Sequence, residues 1–245
     1  MPELDGRLAV VTGASRGIGR AVALALAEAG AHVVALARTQ GALEELDDAI
    51  RAKGGAATLV PLDITDFDAL DRLGAALNER WGKLDILFAN AGLLGGLAPL
   101  GHYDQKSWDR VMAVNVTANW RLIRSLDPLL RASDAGRAIF VGSGAAWNNR
   151  AYWGLYGASK AALHALALTY AAETETTPVR VMVVNPGPLR TKMRASAMPG
   201  EDPMSLKTPE DLAPRILRLA SPAWAETGRI YDFPQDRLLE FRRPD

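Results

Sequence analysis

The chain has 245 residues, 49% of them hydrophobic and 23% charged, which suits one compact α/β domain spanning 1–245 and requires no second one. Lys plus Arg and Asp plus Glu each number 28, so a net charge near zero gives no reason to expect nucleic acid, an anionic membrane or a polyanion, and the expected partner is a small molecule. Cysteine is absent, which excludes disulfides, thiol nucleophiles and thiolate metal sites and suits a reducing cytoplasm, the expected location.

In chain order, Met1 to Asp5 lacks the basic region and apolar stretch of an export signal, and no later apolar run is long enough to span a bilayer. Short β-branched or apolar runs at 8–12, 32–37, 57–62, 84–89, 138–142, 179–185 and 229–233 alternate with longer segments of helical periodicity. Such alternation marks βαβ units in a parallel sheet, here of seven strands. Between the first two runs, Ile18, Val22, Ala25, Leu26 and Ala29 recur at helical spacing, and Gly30 stands where a helix stops. Residues 188–209, rich in Pro, Met and Lys/Arg, read as a long loop that covers a site, and 234–245 as a charged C-terminal tail.

Thr12-Gly13-Ala14-Ser15-Arg16-Gly17-Ile18-Gly19 joins the first strand to the first helix. Glycines there permit a tight turn, let backbone approach a pyrophosphate and leave free N–H groups at the positive end of a helix. The spacing G-x-x-x-G-x-G differs from the general dinucleotide fingerprint, but its place between strand and helix supports the same use in a Rossmann-type, doubly wound sheet with helices on both faces. An acidic residue at the end of the second strand would take a ribose 2′-hydroxyl; here Arg38 stands there, and Arg16 lies in the turn, so two guanidinium groups face a 2′-phosphate and NADP is expected over NAD. Asp63, past the third strand, reads either as an acceptor for the adenine amino group or as a turn residue. Asn90-Ala91-Gly92, past the fourth, places small residues beside the adenosine ribose or simply makes a turn.

Asn115 falls within the apolar helical stretch Val111 to Val116, where an amide needs a buried partner. Ser143 follows the fifth strand at the carboxyl edge of the sheet, where open α/β sheets bind ligands; its hydroxyl can hold a substrate oxygen or be a plain loop serine. Between it and the next helix, Trp147, Asn148, Asn149, Arg150, Tyr152 and Trp153 are expected to wall a pocket for an apolar or flat substrate, with Asn149 or Arg150 reading a polar end. Tyr156 and Lys160, four residues apart on a helix read over 153–176, share one face, so the lysine and an oxidised nicotinamide are expected to lower the tyrosine pKa from about 10 and make it a general acid or base. His32, His102 and His164 show no metal spacing and read as structural, His102 alone in a loop expected to border the site, and no metal is expected.

Taken in register, these motifs resemble the short-chain dehydrogenase/reductase family from about Gly6 to about Phe233, adding Asn185-Pro186-Gly187 and Thr191. The resemblance implies that Tyr156 is the acid/base, that Ser143 orients substrate, and that Lys160 lowers the tyrosine pKa and holds the nicotinamide ribose. Asn115 would support a water-mediated proton relay, Pro186-Gly187 would flank the nicotinamide, and Thr191 would lie near its carboxamide. It also implies a homodimer or homotetramer paired through the helices carrying Asn115 and Tyr156. The chain departs from the family pattern after Thr227-Gly228, where Phe233 is followed by Pro234 and a charged tail, which puts the tetramer in doubt. The expected function is hydride transfer between NADP(H) and a carbonyl or secondary alcohol. Two alternatives are an NADP(H)-binding sensor without turnover and a 3-ketoacyl thioester reductase, the latter using Arg121, Arg124 and Arg131 as a docking patch.

Overall fold

A computed structural model describes residues 4–240. Strands β1 (Leu8–Thr12), β2 (His32–Ala37), β3 (Ala57–Pro61), β4 (Ile86–Ala89), β5 (Arg137–Val141), β6 (Arg180–Asn185) and β7 (Arg229–Asp232) are parallel and lie in the order β3-β2-β1-β4-β5-β6-β7. Helices α1 (Gly17–Glu28), α2 (Gln40–Arg51), α3 (Phe67–Trp81), α4 (Gln105–Met112), α5 (Ala118–Ala132), α6 (Gly154–Glu173), α7 (Lys192–Ala197) and α8 (Pro209–Ala220) fill the crossovers. Both sheet faces are covered, which is why every residue of β1 and β5 is buried and the strands read as continuous apolar runs. Ala9 and Val11 pack with Val22, Leu26 and Ile216 on the α1, α2 and α8 face, while Leu8 and Val10 pack with Leu70, Leu126 and Leu163 on the α3, α5 and α6 face.

Among the described residues the strand count is eight, not seven. β8 (Arg237–Leu239) turns back antiparallel on β7, pairing Ile230 with Leu239 and Asp232 with Arg237. Asp236, in the left-handed region at φ 46, makes the turn, and its carboxylate accepts from Tyr231 Oη at 2.5 Å and pairs with Arg215 at 2.8 Å. The expected tail thus closes the outer edge of β7 as a hairpin; its residues 241–245 lie outside the described residues. The expected loop over 188–209 is also more ordered than its composition suggests. Thr191 caps α7 by accepting from Arg194 N at 3.2 Å, Asp202 caps a short 3₁₀ turn, and the ends of the segment meet where Leu189 bridges Lys207.

The opposite, amino edge of the sheet is tied by one carboxylate. Asp85, fully buried, accepts from Leu8 N at 2.9 Å, Ser133 Oγ at 2.6 Å and Arg7 at 2.9 Å, joining the starts of β1, β4 and β5. Burial pushes this carboxyl up, but the hydrogen bonds outweigh it and hold it below the usual 3.8. Asp85→Ala would remove the acceptor of four donors, the Leu8 N–H, Ser133, Arg7 and Lys83, and we expect a loss of about 3–5 kcal/mol in urea unfolding at neutral pH. Because the native pKa is depressed, the wild-type contribution is full above pH 3.8 and disappears as pH falls through the lowered native value; the difference between the two proteins is expected to shrink in that acid range.

Candidate active site

The strand order reverses between β1 and β4, and ligands of open α/β sheets bind at the carboxyl ends beside such a reversal. The turn 12–19 is built for close approach. Gly13 and Gly17 have φ of 66° and 54°, and a Cβ on Gly19 would lie 2.2 Å from the Gly13 carbonyl oxygen. Thr12 Oγ1 accepts from the N–H of Asn90 and of Ala91, each at 3.0 Å, and Asn90 Nδ2 donates back to the Thr12 carbonyl at 2.9 Å. The two loops are thereby stapled across the reversal. Arg16, exposed, stands at the N-cap of α1 and no side chain caps that helix, so its first N–H groups, with Ser15 and Ile18 beside them, stay available to an anion.

Arg38 ends at the surface with its guanidinium 3.8 Å from Asp63 Oδ2. Of the two readings of Asp63, the turn is realised, since Oδ1 accepts from the Thr65 N–H at 2.9 Å and hydroxyl at 2.7 Å. Its second oxygen faces Arg38. These contacts and Arg38 hold the Asp63 carboxyl below its ordinary value against the opposing effect of burial.

Asn115 is fully buried in a π-helical turn, Ala113–Thr117, between α4 and α5. Its amide has three partners: Oδ1 accepts from Leu93 N at 2.8 Å, and Nδ2 donates to the Leu93 carbonyl and to Ser159 Oγ, each at 2.9 Å. It therefore clamps the segment after Gly92 onto α6. Gly92 lies beside both groups, with Asn115 Oδ1 and Lys160 Nζ within ordinary contact of the position a Cβ would take.

The end of β5 is gripped from two sides. Lys160 Nζ donates to the Val141 carbonyl at 2.7 Å, His164 Nε2 accepts from Ser143 N at 3.3 Å, and Asn185 Oδ1 accepts from Gly144 N at 2.9 Å. Asn185 is in turn fixed by Asp232 Oδ1 at 2.5 Å. Gly142 lies against the histidine, where a Cβ would come within 2.1 Å of Nε2. The result sets Ser143 on the same cavity wall as Tyr156. Burial pushes the Tyr156 phenol up to about 12, with Ser143 pulling the other way, so the chain alone holds Tyr156 protonated at neutral pH. Burial brings Lys160 down to about 8.

Ser143, Tyr156 and Lys160 line a cavity of about 310 Å³, together with Ile18, Asn90, Gly92, Pro186, Gly187 and Thr191 from the sequence-predicted set. Thr12, Gly13, Arg16, Gly17, Gly19, Arg38, Asp63 and Ala91 do not line it but continue the carboxyl edge away from it. Of the expected pocket wall, Asn148, Arg150 and Trp153 line the cavity and Trp147, Asn149 and Tyr152 do not. Trp147 packs on the His164 ring at 5.4 Å, and Asn149 and Tyr152, with φ of 46° and 70°, bend the chain so that neither reaches it. His102 is exposed and absent from the wall. The wall also includes Met193, Arg194 and Ala197 of α7 and Pro234, whose ring sits where a Cβ of Gly187 would be. The sequence reading names Asn185 only as part of the Asn185-Pro186-Gly187 motif and His164 as structural, without their roles in holding the end of β5, and notes Pro234 only as a departure after Phe233. Among the described residues no cluster of His, Asp and Glu is placed to hold a metal, and no helix is long and apolar enough to cross a membrane.

His164 supplies a pH test of the grip. Burial and Lys160 lower its pKa from 6.5 to about 4. The unfolded chain therefore takes up a proton between these values that the native chain refuses, and stability falls as pH drops from 6.5 to about 4. We expect His164→Gln, which keeps an acceptor without a titrating ring, to flatten this part of the stability-against-pH curve measured by urea unfolding.

Comparison with known proteins was consistent along the chain. Residues 7–202 match the short chain dehydrogenase family. The chain is 38% identical over 233 residues to the uncharacterized oxidoreductase YciK of Escherichia coli, covering 94% of this chain and 92% of that protein. It is 37% identical over 247 residues to the rhamnolipids biosynthesis 3-oxoacyl-(acyl-carrier-protein) reductase of Pseudomonas aeruginosa, covering 93% and 94%. A short chain dehydrogenase from Shigella flexneri, solved in complex with NADP, superposes with a TM-score of 0.90 at 38% identity over 94% of this chain and 97% of that one. With Ser143, Tyr156 and Lys160 converging on one cavity at the carboxyl edge of the sheet, this chain belongs to the short chain dehydrogenase family of oxidoreductases.

Proposed function

We propose that the protein transfers a hydride between NADP(H) and the carbon of a small carbonyl compound or secondary alcohol. The observation that carries this reading is that Ser143 and Tyr156 line one cavity with Lys160, buried, one helical turn from the tyrosine. The nicotinamide ring, when bound, supplies or accepts the hydride. The residues suit that cofactor: glycines leave the 12–19 turn open to a pyrophosphate, the first N–H groups of α1 are uncapped, and the Lys160 ammonium spends one of its three donors on Val141, leaving two for ribose hydroxyls. Arg38 and Arg16 favour a 2′-phosphate, and the Shigella flexneri relative was solved with NADP. In carbonyl reduction Tyr156 donates its phenolic proton to the substrate oxygen and Ser143 donates a hydrogen bond to the same oxygen, stabilising the charge that gathers there. The Lys160 ammonium stabilises the phenolate left behind. In alcohol oxidation the proton travels back to Tyr156.

Reduction of a carrier-bound 3-ketoacyl group is the reading suggested by the Pseudomonas aeruginosa relative's name. The docking patch proposed for it is largely spoken for, since Arg121 pairs with Asp71 at 3.2 Å and Arg131 with Asp127 at 2.8 Å. We therefore favour a free small-molecule substrate.

Tyr156→Phe is expected to reduce turnover of an aldehyde panel with NADPH by about a thousandfold while leaving the unfolding midpoint within a few degrees; an unchanged rate would remove the proposed acid. Because Lys160 is charged below about pH 8 and neutral above it, the reduction rate is expected to hold level at lower pH and fall as pH rises through that value. For the cofactor, NADPH is expected to raise the melting temperature more than NADH, and Arg38→Asp to remove that difference, worth about tenfold in affinity at this half-exposed site. Equal stabilisation of the wild type by both would refute the phosphate reading.

A further inference from the structure

The cavity beside Tyr156 is electrostatically one-sided. Its charged wall residues are Arg150, Lys160 and Arg194, and no aspartate or glutamate lines it. Two of these three charges are committed. Lys160 belongs to the Tyr156 pair, and Arg194 is held bidentately by Glu201, with both oxygens at 2.6 Å. Glu201 lies near enough to Arg150 to feel its charge, but its two oxygens are spent on Arg194. Among the described residues Arg150 has no ion-pair partner within 4 Å. Its guanidinium lies 5.6 Å from the centre of the Trp153 ring, and Trp153 meets Tyr156 edge-on with ring centres 6.0 Å apart. An uncompensated cation therefore stands at the cavity wall, separated from the proton donor by one indole ring.

We propose that the substrate of this site bears a carboxylate or similar anionic group about one aromatic ring away from the reacting carbonyl, and that Arg150 receives it. Apolar walls at Leu94, Leu189, Met193 and Trp153 exclude water and focus the positive field toward the opening, so an anion is drawn in and a neutral analogue is not. The planar fork of Arg150 matches a carboxylate bidentately, and Trp153 under it limits the directions it samples. The flat Trp153 face flanks the body of the substrate between the two ends. The anion takes no part in the chemistry: in reduction, the hydride goes to the carbonyl carbon, the Tyr156 proton to its oxygen, and the carboxylate leaves unchanged on the alcohol. The inference rests on the hydride-transfer reading and narrows its substrate class.

A matched pair tests it, 4-formylbenzoate against its methyl ester, which present the same aldehyde with and without the charge. With NADPH we expect the acid to be reduced with kcat/KM about tenfold or more above the ester, the difference lying in KM and shrinking as salt rises. Arg150→Gln is expected to bring the acid down to the level of the ester measured with the same variant. A binding arm separates the two layers of the argument: with NADP present, 4-(hydroxymethyl)benzoate should raise the melting temperature of the wild type and not of Arg150→Gln. Equal turnover of acid and ester, or a preference that survives Arg150→Gln, would overturn the anion site while the hydride-transfer reading stands. Carboxylate-dependent stabilisation lost in Arg150→Gln, with neither aldehyde reduced, would support the anion site and overturn turnover instead. No reduction and no stabilisation would overturn both.

Discussion

A lysine with 3% of its surface exposed is costly to bury, and the arrangement around the site follows from how that cost is met. Its ammonium needs acceptors, and the one recorded is the Val141 carbonyl at the last residue of β5. That contact can form only if α6 lies close against the strand end, and Gly142 stands where a side chain would run into His164 of that helix. Once the helix is seated, His164, one turn further along, meets the next free backbone donor, Ser143 N. A single helix face thus grips a carbonyl and an N–H two residues apart, and the serine between them and Tyr156 has little freedom left.

The second support comes from the far end of the chain. Asn185, at the end of β6, holds Gly144 from the other side and is itself pinned by Asp232 at the end of β7. β8 then folds back on β7, and the turn between them brings Pro234 onto Gly187 at the cavity wall. The hairpin that closes the outermost edge of the sheet therefore also reaches its centre. An exposed parallel edge invites further strand pairing, and here the chain covers its own.

Much of this was readable in the residues. Parallel strands buried on both faces leave continuous apolar runs, so the first seven were located to within a residue or two at their ends; Asp85 explains the late start of β4, since its side chain is taken up in tying neighbouring elements. The 12–19 turn and the Tyr156 to Lys160 spacing were visible because each depends on local geometry, a positive φ or a helical turn. β8 was not, because three residues beside a proline carry no alternation; nor was α7, too short for periodicity and announced only by its Thr191 cap. The pocket wall was half missed for another reason. Composition marked Trp147 to Trp153 as a wall, but which side chains turn inward depends on two left-handed residues, Asn149 and Tyr152, that are not glycine. The partners of Asn115 and His164 were likewise tertiary, lying 22 and 21 residues away along the chain.

The balanced charge of the whole chain hides a local imbalance. Acidic residues are concentrated where they tie structure together: Asp85 at the amino edge, Asp63 at its turn, Asp236 in the hairpin, Glu201 within the segment over the cavity. Each is satisfied locally, so its field is largely cancelled at a distance. The cations at the carboxyl edge divide differently. Arg194 is matched in the same way, whereas among the described residues Arg16 and Arg150 have no such carboxylate and Lys160 has only a carbonyl. Cations without a paired carboxylate thus stand at both ends of the carboxyl edge, Arg16 at the glycine turn and Arg150 at the cavity wall. A sum over the sequence cannot reveal this, because it weighs neutralised and unneutralised charges alike.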